Sequence, residues 1–542
     1  MQWNIQNTVV PKNAEELIAV LITNRHIEDR QTFLHPKHPM DISLQEVGLD
    51  QKEMSKAVER LETARQNNQS VIIFGDYDCD GVCATAVLWE TMHTNGWNVF
   101  PFIPNRQAHG YGLSSVALDE ILGAAHKPAV LITVDNGIVA HTQFERLRQE
   151  GVYTILTDHH ESDGKFPPAE AILHTTKLCG TTVAWMLARE LGKSESIESM
   201  LDLCAIATIA DQVPLVDANR SFALFGLEQL NQTTRLGLQL LIQTAGLQLG
   251  EIDTYAVNFG IAPRINAMGR LESALDALRA LCTTNPTRAL QLIGKLQDVN
   301  EARQNLTTEM IECALAQASE WKDERIIIVA DPSFHEGVIG LIASKLTETF
   351  YKPSIVLSIG EKTAKGSARS VSGVHITNLL RSVKNDLLEV GGHPMAAGLK
   401  LEVGALESFK THLYEQARIV VDVELLTPRL DVDCVIDPSL LSLEIVETLQ
   451  QLEPFGAANR EPIFAVDECI VEHCSPVGKE GKHLKLKLCV GTIKLDAIWF
   501  GKGEQCAAYP VGSAFRCAGY LRINEWKKRK NIQLLLKDIQ AQ

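Results

Sequence analysis

Short apolar runs and amphipathic stretches alternate along the chain from about residue 71. Val-Ile-Ile-Phe (71–74), Asn-Val-Phe-Pro-Phe-Ile (98–103), Ala-Val-Leu-Ile-Thr-Val (129–134) and Tyr-Thr-Ile-Leu-Thr (153–157) are β-rich and short enough to be strands. Apolar residues at helical spacing lie between them, at 82–93, 114–125 and 140–150. Strands separated by helices imply βαβ units and a parallel sheet. Residues 200–210 read as a buried helix, and a Leu- and Ala-rich, charge-laced run over 286–320 reads as a long connecting helix. A second α/β unit is expected from strands at 325–330, 354–359 and 365–371 and helices at 336–348 and 376–389. Beyond Thr427 and Pro428, short strands alternate with Gly-rich turns and almost no helix, the pattern of a small barrel or sandwich. The expected order is an N-terminal segment (1–48), a parallel-sheet α/β domain (49–240), a helical connector (241–320), a second α/β domain (321–420) and a C-terminal β-barrel (425–542).

Size and composition narrow the class. A chain of 542 residues exceeds what one hydrophobic core supports. No apolar run approaches the ~18 residues of a membrane span, and the first residues show no basic region followed by an apolar stretch. Twelve cysteines with no CxxC pair argue against a structural zinc site and fit reduced thiols in a cytoplasm. The net charge of −16 counts against a nucleic-acid partner until its distribution is considered. Residues 471–542 hold 13 Lys and Arg against 6 Asp and Glu, a local balance of +7 that leaves −23 for the rest. The tail can attract phosphates while acidic residues elsewhere serve as surface or as metal ligands.

Three of the expected strands run into acidic or histidine residues: Gly75-Asp76-Tyr77-Asp78-Cys79-Asp80-Gly81, Asp135-Asn136-Gly137 and Asp158-His159-His160. Ligands of open α/β sheets bind at the carboxyl ends of the strands, so these residues are expected to converge. Asp211 follows the apolar helix as a fourth acidic position. Carboxylate oxygens suit Mg²⁺ and Mn²⁺, and imidazole favours Mn²⁺ over Ca²⁺. Two such ions sharing a carboxylate can clamp both oxygens of a phosphoryl displacement. A single Asp after a strand is ordinarily a turn residue or helix cap. Three such clusters on successive strand ends exceed what capping requires.

Gly75–Gly81, Thr133–Ile138, Thr157–His160 and the segment around Asp211, taken in order, resemble the four motifs of the DHH phosphoesterase family. The segments 264–270 (RINAMGR), 335–346, 366–370 (GSARS), 391–398 (GGHPMAAG) and 452–464 are similar to its single-strand-specific exonucleases, so the resemblance covers roughly residues 50–465. It implies a DHH-type parallel-sheet domain, a long connecting helix, a DHH-associated α/β domain and an OB-like barrel. It also implies a Mn²⁺- or Mg²⁺-dependent exonuclease that degrades single-stranded DNA from the 5′ end to mononucleotides in repair and recombination. A helicase and a single-strand-binding protein are the protein partners it brings into view, with no membrane role. By the same resemblance, Asp76, Asp78, Asp80, Asp135, His159 and Asp211 are metal ligands, Asp135 the bridge, His160 a group near the scissile phosphate and Asp158 its orienting neighbour.

Arginine suits bidentate phosphate contacts. Arg106, Arg264, Asn266, Arg270, Ser367 and Arg369 match family positions that grip the DNA backbone or its 5′ phosphate, while Gly392 and His393 read as part of a small anion nest. In the barrel, Arg522, Trp526, Lys527, Lys528, Arg529 and Lys530 read as a basic, aromatic hairpin for single strands. The departures are Cys79 where alanine is common, Leu-Cys-Gly-Thr-Thr-Val-Ala-Trp (178–185) for a more Gly- and Val-rich stretch, and His109 where an acidic residue is frequent. Two competing readings are a DHH phosphodiesterase for short oligonucleotides or cyclic dinucleotides, and a non-catalytic DHH scaffold. The first is typically shorter and lacks a barrel. The second loses metal ligands.

Overall fold

In the computed structural model the strand-forming runs of the N-terminal half assemble into one sheet: β1 (Ser70–Phe74), β2 (Asn98–Phe102), β3 (Val130–Val134), β4 (Tyr153–Asp158) and β5 (Ala171–His174). The structure describes residues 1–110, 112–124, 127–321, 323–526 and 529–541. The strand order is β2-β1-β3-β4-β5, and every neighbouring pair is parallel. β3 is buried along its whole length, which is why its sequence is a continuous apolar run. The chain steps from β1 to β2 on one side and then to β3 on the other, so a topological switch point lies between β1 and β3. The crevice at the carboxyl ends of those strands is where such sheets bind ligands.

Helix α1 (Cys79–Thr94) follows β1, and α2 (Gly180–Leu191) and α3 (Leu201–Ala210) follow β5. α3 is buried on nearly every side, as its unbroken apolar sequence requires. A π-helical turn, Val257–Ile261, leads into α4 (Ala262–Leu271). The connecting run is a single 34-residue helix, α5 (Pro286–Ser319), begun by a proline whose fixed φ suits a first helical position.

The chain forms two compact units, Trp3–Leu296 with Asp431–Gln542, and Gln297–Leu430 with Met1–Gln2. In the second, strands β6 (Ile327–Asp331), β7 (Ser354–Ile359), β8 (Thr363–Arg369), β9 (Glu389–Gly392) and β10 (Ala396–Glu402) lie in the order β9-β10-β8-β7-β6. The helix expected over 376–389 is only Ile376–Arg381. Asn385 and Asp386 favour a turn, the Gly391-Gly392 pair disfavours a helix, and Glu389–Gly392 finds ladder partners in β10.

The C-terminal strands β11 (Phe464–Val477), β12 (His483–Val490), β13 (Ile493–Trp499), β14 (Ala514–Trp526) and β15 (Arg529–Ala541) close into a barrel through pairing of β11 with β14. β12 shows the two-residue period: Leu484, Leu486, Leu488 and Val490 point in, and Lys485 and Lys487 point away. The barrel core also holds Leu17, Ile18, Leu21 and Ile22 of the helix Ala14–Asn24, and Ile445, Val446 and Leu449 of the helix Leu443–Leu449. The sequence showed neither contribution, because each helix gains its apolar partner only in the fold. Buried Arg220 fastens these parts together, donating to the carbonyls of Phe33, Gln451 and Leu452. A guanidinium so placed needs acceptors on each edge.

Candidate metal centre

Each acidic residue owes its position to a local feature of the chain. Asp76 lies two residues beyond β1, nearly fully buried, and accepts from the N–H of Tyr77 at 2.7 Å. Asp78 is the N-cap of α1, accepting from Gly81 at 3.0 Å. Asp80, in the first turn of α1, accepts the N–H groups of Gly180 and Thr181 at the start of α2, both at 2.7 Å. Asp135 follows β3 with φ +62°, a left-handed conformation that Asp tolerates through its short polar side chain. His159 follows β4, and Asp211 caps the C-terminal end of α3.

These side chains converge into three ligand-like groups. Asp76, Asp78 and Asp135 form one, Asp80, His159 and Asp211 another, and Asp135, His159 and His160 a third; within each, one ligand atom per residue lies within 4.8 Å of the others. His159 Nε2 is 3.1 Å from Asp135 Oδ1, 3.6 Å from Asp211 Oδ2 and 3.7 Å from Asp80 Oδ2. Asp135 therefore shares one group with Asp76 and Asp78 and another with His159 and His160, and His159 in turn joins Asp80 and Asp211. Its Oδ1 is buried and accepts no hydrogen bond, an unfavourable state for a carboxylate oxygen unless a cation meets it.

The electrostatics point the same way. Burial and the charge of Asp78 push Asp76 up to about 8, and burial with Asp80 pushes Asp211 up to about 8. Asp78 and Asp135 are raised by burial first and by neighbouring carboxylates second. Burial outweighs the attraction of Asp80 and lowers His159, leaving the neutral imidazole that ligates metals. Such a cluster cannot ionise fully without added positive charge. The donor set, oxygen-rich with one imidazole, fits two divalent ions of the Mg²⁺ or Mn²⁺ type.

Removing the ions should therefore make stability fall with pH. The raised folded values of Asp76 and Asp211 mean that the native chain keeps protons which the unfolded chain has lost, between about pH 4 and 8. His160, raised to about 9, adds the same sign between about 6.5 and 9. The melting temperature of the chelator-treated chain is expected to drop from about pH 6 to about pH 8.5, and Mn²⁺ to raise it most at the alkaline end. Scanning fluorimetry across pH, with and without Mn²⁺, measures this, and a Mn²⁺ shift independent of pH would dissociate these carboxylates from metal binding.

Asp158 accepts from the N–H groups of Ile138, His159 and His160 and sits 2.8 Å from His160 Nδ1. Burial works to raise it, but the hydrogen bond and charge of His160 outweigh burial and lower it. Burial likewise opposes the His160 imidazolium, and the hydrogen bond and charge of Asp158 win, raising it to about 9.

Several supporting residues escaped the sequence reading. A Cβ at Gly180 would stand 2.4 Å from Asp135 Oδ1, so this glycine lets the carboxylate lie against α2. Glu90 on α1 and Asp202 on α3 share half-buried Arg235, at 2.7 and 3.2 Å. That triad ties the far ends of the two helices whose near ends carry Asp78, Asp80 and Asp211. The cue for Gly180 lay in the 178–185 segment, but only the fold shows what the glycine faces.

Asn266, expected on DNA, has its Oδ1 2.8 Å from the N–H of Cys79, so it braces the metal loop from α4. Gly269, beside it, meets the Tyr77 carbonyl, where a Cβ would stand 2.1 Å away. Arg106 lies over the Tyr77 ring at 5.7 Å, and Arg270 acts on the same phenol. Arg264 donates to the Gly260 carbonyl at 2.5 Å. The loop carrying Arg106 is pinned by His109, whose Nδ1 accepts from Asn105 and whose Nε2 lies 3.0 Å from Glu120.

In the second unit, Arg369 donates to Ser367 Oγ at 3.1 Å, and burial lowers its pKa. Gly340, in the first turn of the helix Ile339–Phe350, lies against both side chains. Arg369, Ser367 and the first turn of that helix therefore lie side by side. Gly392 and His393 form a hairpin turn rather than a nest, because the His393 N–H is taken by the Ala396 carbonyl at 2.8 Å. In the barrel, β14 and β15 make the expected hairpin, with Trp526 opposite Arg529 and with Arg529 and Lys530 exposed. Lys527, Lys528 and the Trp526 side chain lie outside the described residues. Arg522 is forked onto Glu461 at 2.8 and 2.6 Å.

Comparison with known proteins agrees with this architecture. The DHH family N-terminal domain model matches residues 70–208, the DHHA1 domain model 323–418 and the RecJ OB domain model 432–538. The single-stranded-DNA-specific exonuclease RecJ of Bacillus subtilis is 34% identical over 561 residues, spanning 99% of this chain and 70% of the relative. RecJ of Escherichia coli is 30% identical, spanning 90% of each. A crystal structure of RecJ with Mn²⁺ from Thermus thermophilus superposes with a TM-score of 0.84 at 29% identity, covering 100% of this chain and 80% of that one. Its counterpart with Mg²⁺ gives 0.78 at 27% identity, covering 100% and 78%.

Proposed function

The chain belongs to the RecJ family of single-stranded-DNA-specific exonucleases, and from that membership we propose that it degrades single-stranded DNA from the 5′ end to mononucleotides. The observation that carries the reading is Asp135, shared between two ligand groups, with its buried Oδ1 lacking a hydrogen bond. A complete acidic and histidine set disfavours the scaffold reading, and the barrel disfavours a phosphodiesterase for very short substrates.

Asp76, Asp78, Asp80, Asp135, His159 and Asp211 would hold two divalent cations, which when bound supply the charge that activates water and steadies the leaving oxygen. The other tasks fall to the chain itself. Asp158 fixes His160 through Nδ1, so Nε2 is the ring atom proposed to donate to a phosphoryl oxygen. As an imidazolium it would stabilise negative charge developing there. Arg106 and Arg270, beside the Tyr77 ring, are suited to the DNA backbone entering the site. We place this work in the cytoplasm, where thiols stay reduced, with a helicase and a single-strand-binding protein as partners. Digesting 5′-labelled and 3′-labelled single strands and duplex, with Mn²⁺ and then Mg²⁺, tests substrate and polarity together. Release of label first from the 3′ end would overturn the polarity.

Arg369 and Ser367 supply the end recognition in this reading. A charge-assisted contact to a terminal phosphate contributes roughly 1.5–3 kcal/mol. Arg369→Ala should therefore cut the preference for 5′-phosphorylated over 5′-hydroxyl ends about tenfold or more. Competition between the two substrates reads the ratio directly, and an unchanged ratio moves Arg369 to a structural role.

A further inference from the structure

A groove of about 750 Å³ separates the helical segment around Tyr255 and Phe259 from the barrel face that carries Glu461, Tyr520 and Arg522. Both walls belong to the same compact unit. Tyr255 and Phe259 are 68% and 67% exposed, with ring centroids 4.5 Å apart. They stand four residues apart on one helical ridge, and Phe259 lies in the π-helical turn Val257–Ile261. π-turns are rare and recur at functional sites. Two large rings held together in water, above a floor that includes buried Ile252 and Leu521, mark an interaction surface rather than a core.

The charge of the groove says what it accepts. Its lining carries Glu228, Asp253, Glu453 and Glu461 against Arg460 and Arg522. Both arginines are already engaged within the chain, Arg522 by Glu461 and Arg460 by Asp431 at 3.3 Å. Among the described residues, Glu228, Asp253 and Glu453 have no basic side chain within ion-pair distance. Burial first, and then the charges of Asp253 and Glu461, raise Glu453 against the opposing charge of Arg522, so the carboxylates of the groove outweigh its cation. A phosphate backbone entering here would meet four carboxylates against two arginines, a net negative charge that disfavours the substrate strand.

We propose that this groove docks a basic segment of a partner protein, with arginine and apolar side chains seated on Tyr255 and Phe259 and further cations facing Glu228, Asp253 and Glu453. Arginine fits both features, stacking on aromatic faces while pairing with carboxylates.

The test is selection of a random displayed peptide library on the metal-loaded full chain, with counter-selection on Tyr255→Ala/Phe259→Ala. Both rings are exposed, so that variant keeps its fold and its nuclease activity, which serves as the folding control. Enriched peptides are expected to be net positive and to contain arginine. Measured by fluorescence polarisation, they should bind the double variant about tenfold more weakly. Glu228→Gln/Asp253→Asn/Glu453→Gln, which keeps the rings, should weaken binding similarly at low salt and less at high salt. Absence of enrichment over the counter-selected chain, neutral or acidic winners, or affinities unchanged by either variant overturns the proposal. A comparable loss of oligothymidylate binding in Tyr255→Ala/Phe259→Ala would also overturn it, by making the groove part of the substrate path. Polarity and metal dependence of digestion are separate readouts, so failure here leaves the nuclease reading standing.

Discussion

Asp135→Asn should lower single-strand turnover by several orders of magnitude, on the order of 10³-fold or more, while DNA binding largely persists. The substitution is a clean one. Asparagine tolerates the left-handed φ of +62° at least as well as aspartate, so the sharp exit from β3 survives. What changes is charge at the one carboxylate common to two ligand groups. An amide NH₂ in place of either oxygen is a donor where the site needs a lone pair. Calorimetric titration with Mn²⁺ should show the loss of one binding step or a weakening of both, and single-turnover kinetics should separate this from substrate affinity. Near-normal turnover would sink the two-metal assignment.

How legible the site was depended on whether its information is local. A strand ending in Asp or His is visible in one dimension, and β1, β3 and β4 do place Asp76, Asp135 and His159 at one sheet edge. The division of Asp76, Asp78 and Asp80 was not visible, because it depends on α2: the N–H groups of Gly180 and Thr181, a hundred residues away, turn Asp80 from the other two. The bracing role of Asn266 was hidden for the same reason. Its position beside Arg264 and Arg270 suggested DNA, and only the fold shows that its Oδ1 also accepts from the N–H of Cys79. The barrel strands were readable from alternation, as in Leu484 to Val490. The helix Ala14–Asn24 that completes their core is separated by more than four hundred residues, and no periodicity announces where its apolar face goes.

The remaining large effect belongs to Asp158, a residue that is not itself among the proposed metal ligands. Asp158→Asn is expected to slow turnover about a hundredfold or more, by unfastening His160 and the main chain that presents His159. Four donors meet this carboxylate: the N–H groups of Ile138, His159 and His160, and His160 Nδ1. An amide can accept at one atom only, so at least one buried N–H faces an NH₂, which costs roughly 1–3 kcal/mol of stability. The pH profile separates the electrostatic task from this structural cost. With Asp158 in place, its hydrogen bond and charge hold His160 above the usual imidazole range, so activity that needs the imidazolium should persist to higher pH than in the variant. In the variant the hydrogen bond and the charge are lost while burial still opposes the cation, so the alkaline limb of kcat/KM should move to lower pH. A purely structural role would lower the rate at every pH and leave the limb in place. Profiles taken from about pH 6 to about pH 10, with metal saturating throughout, decide between them.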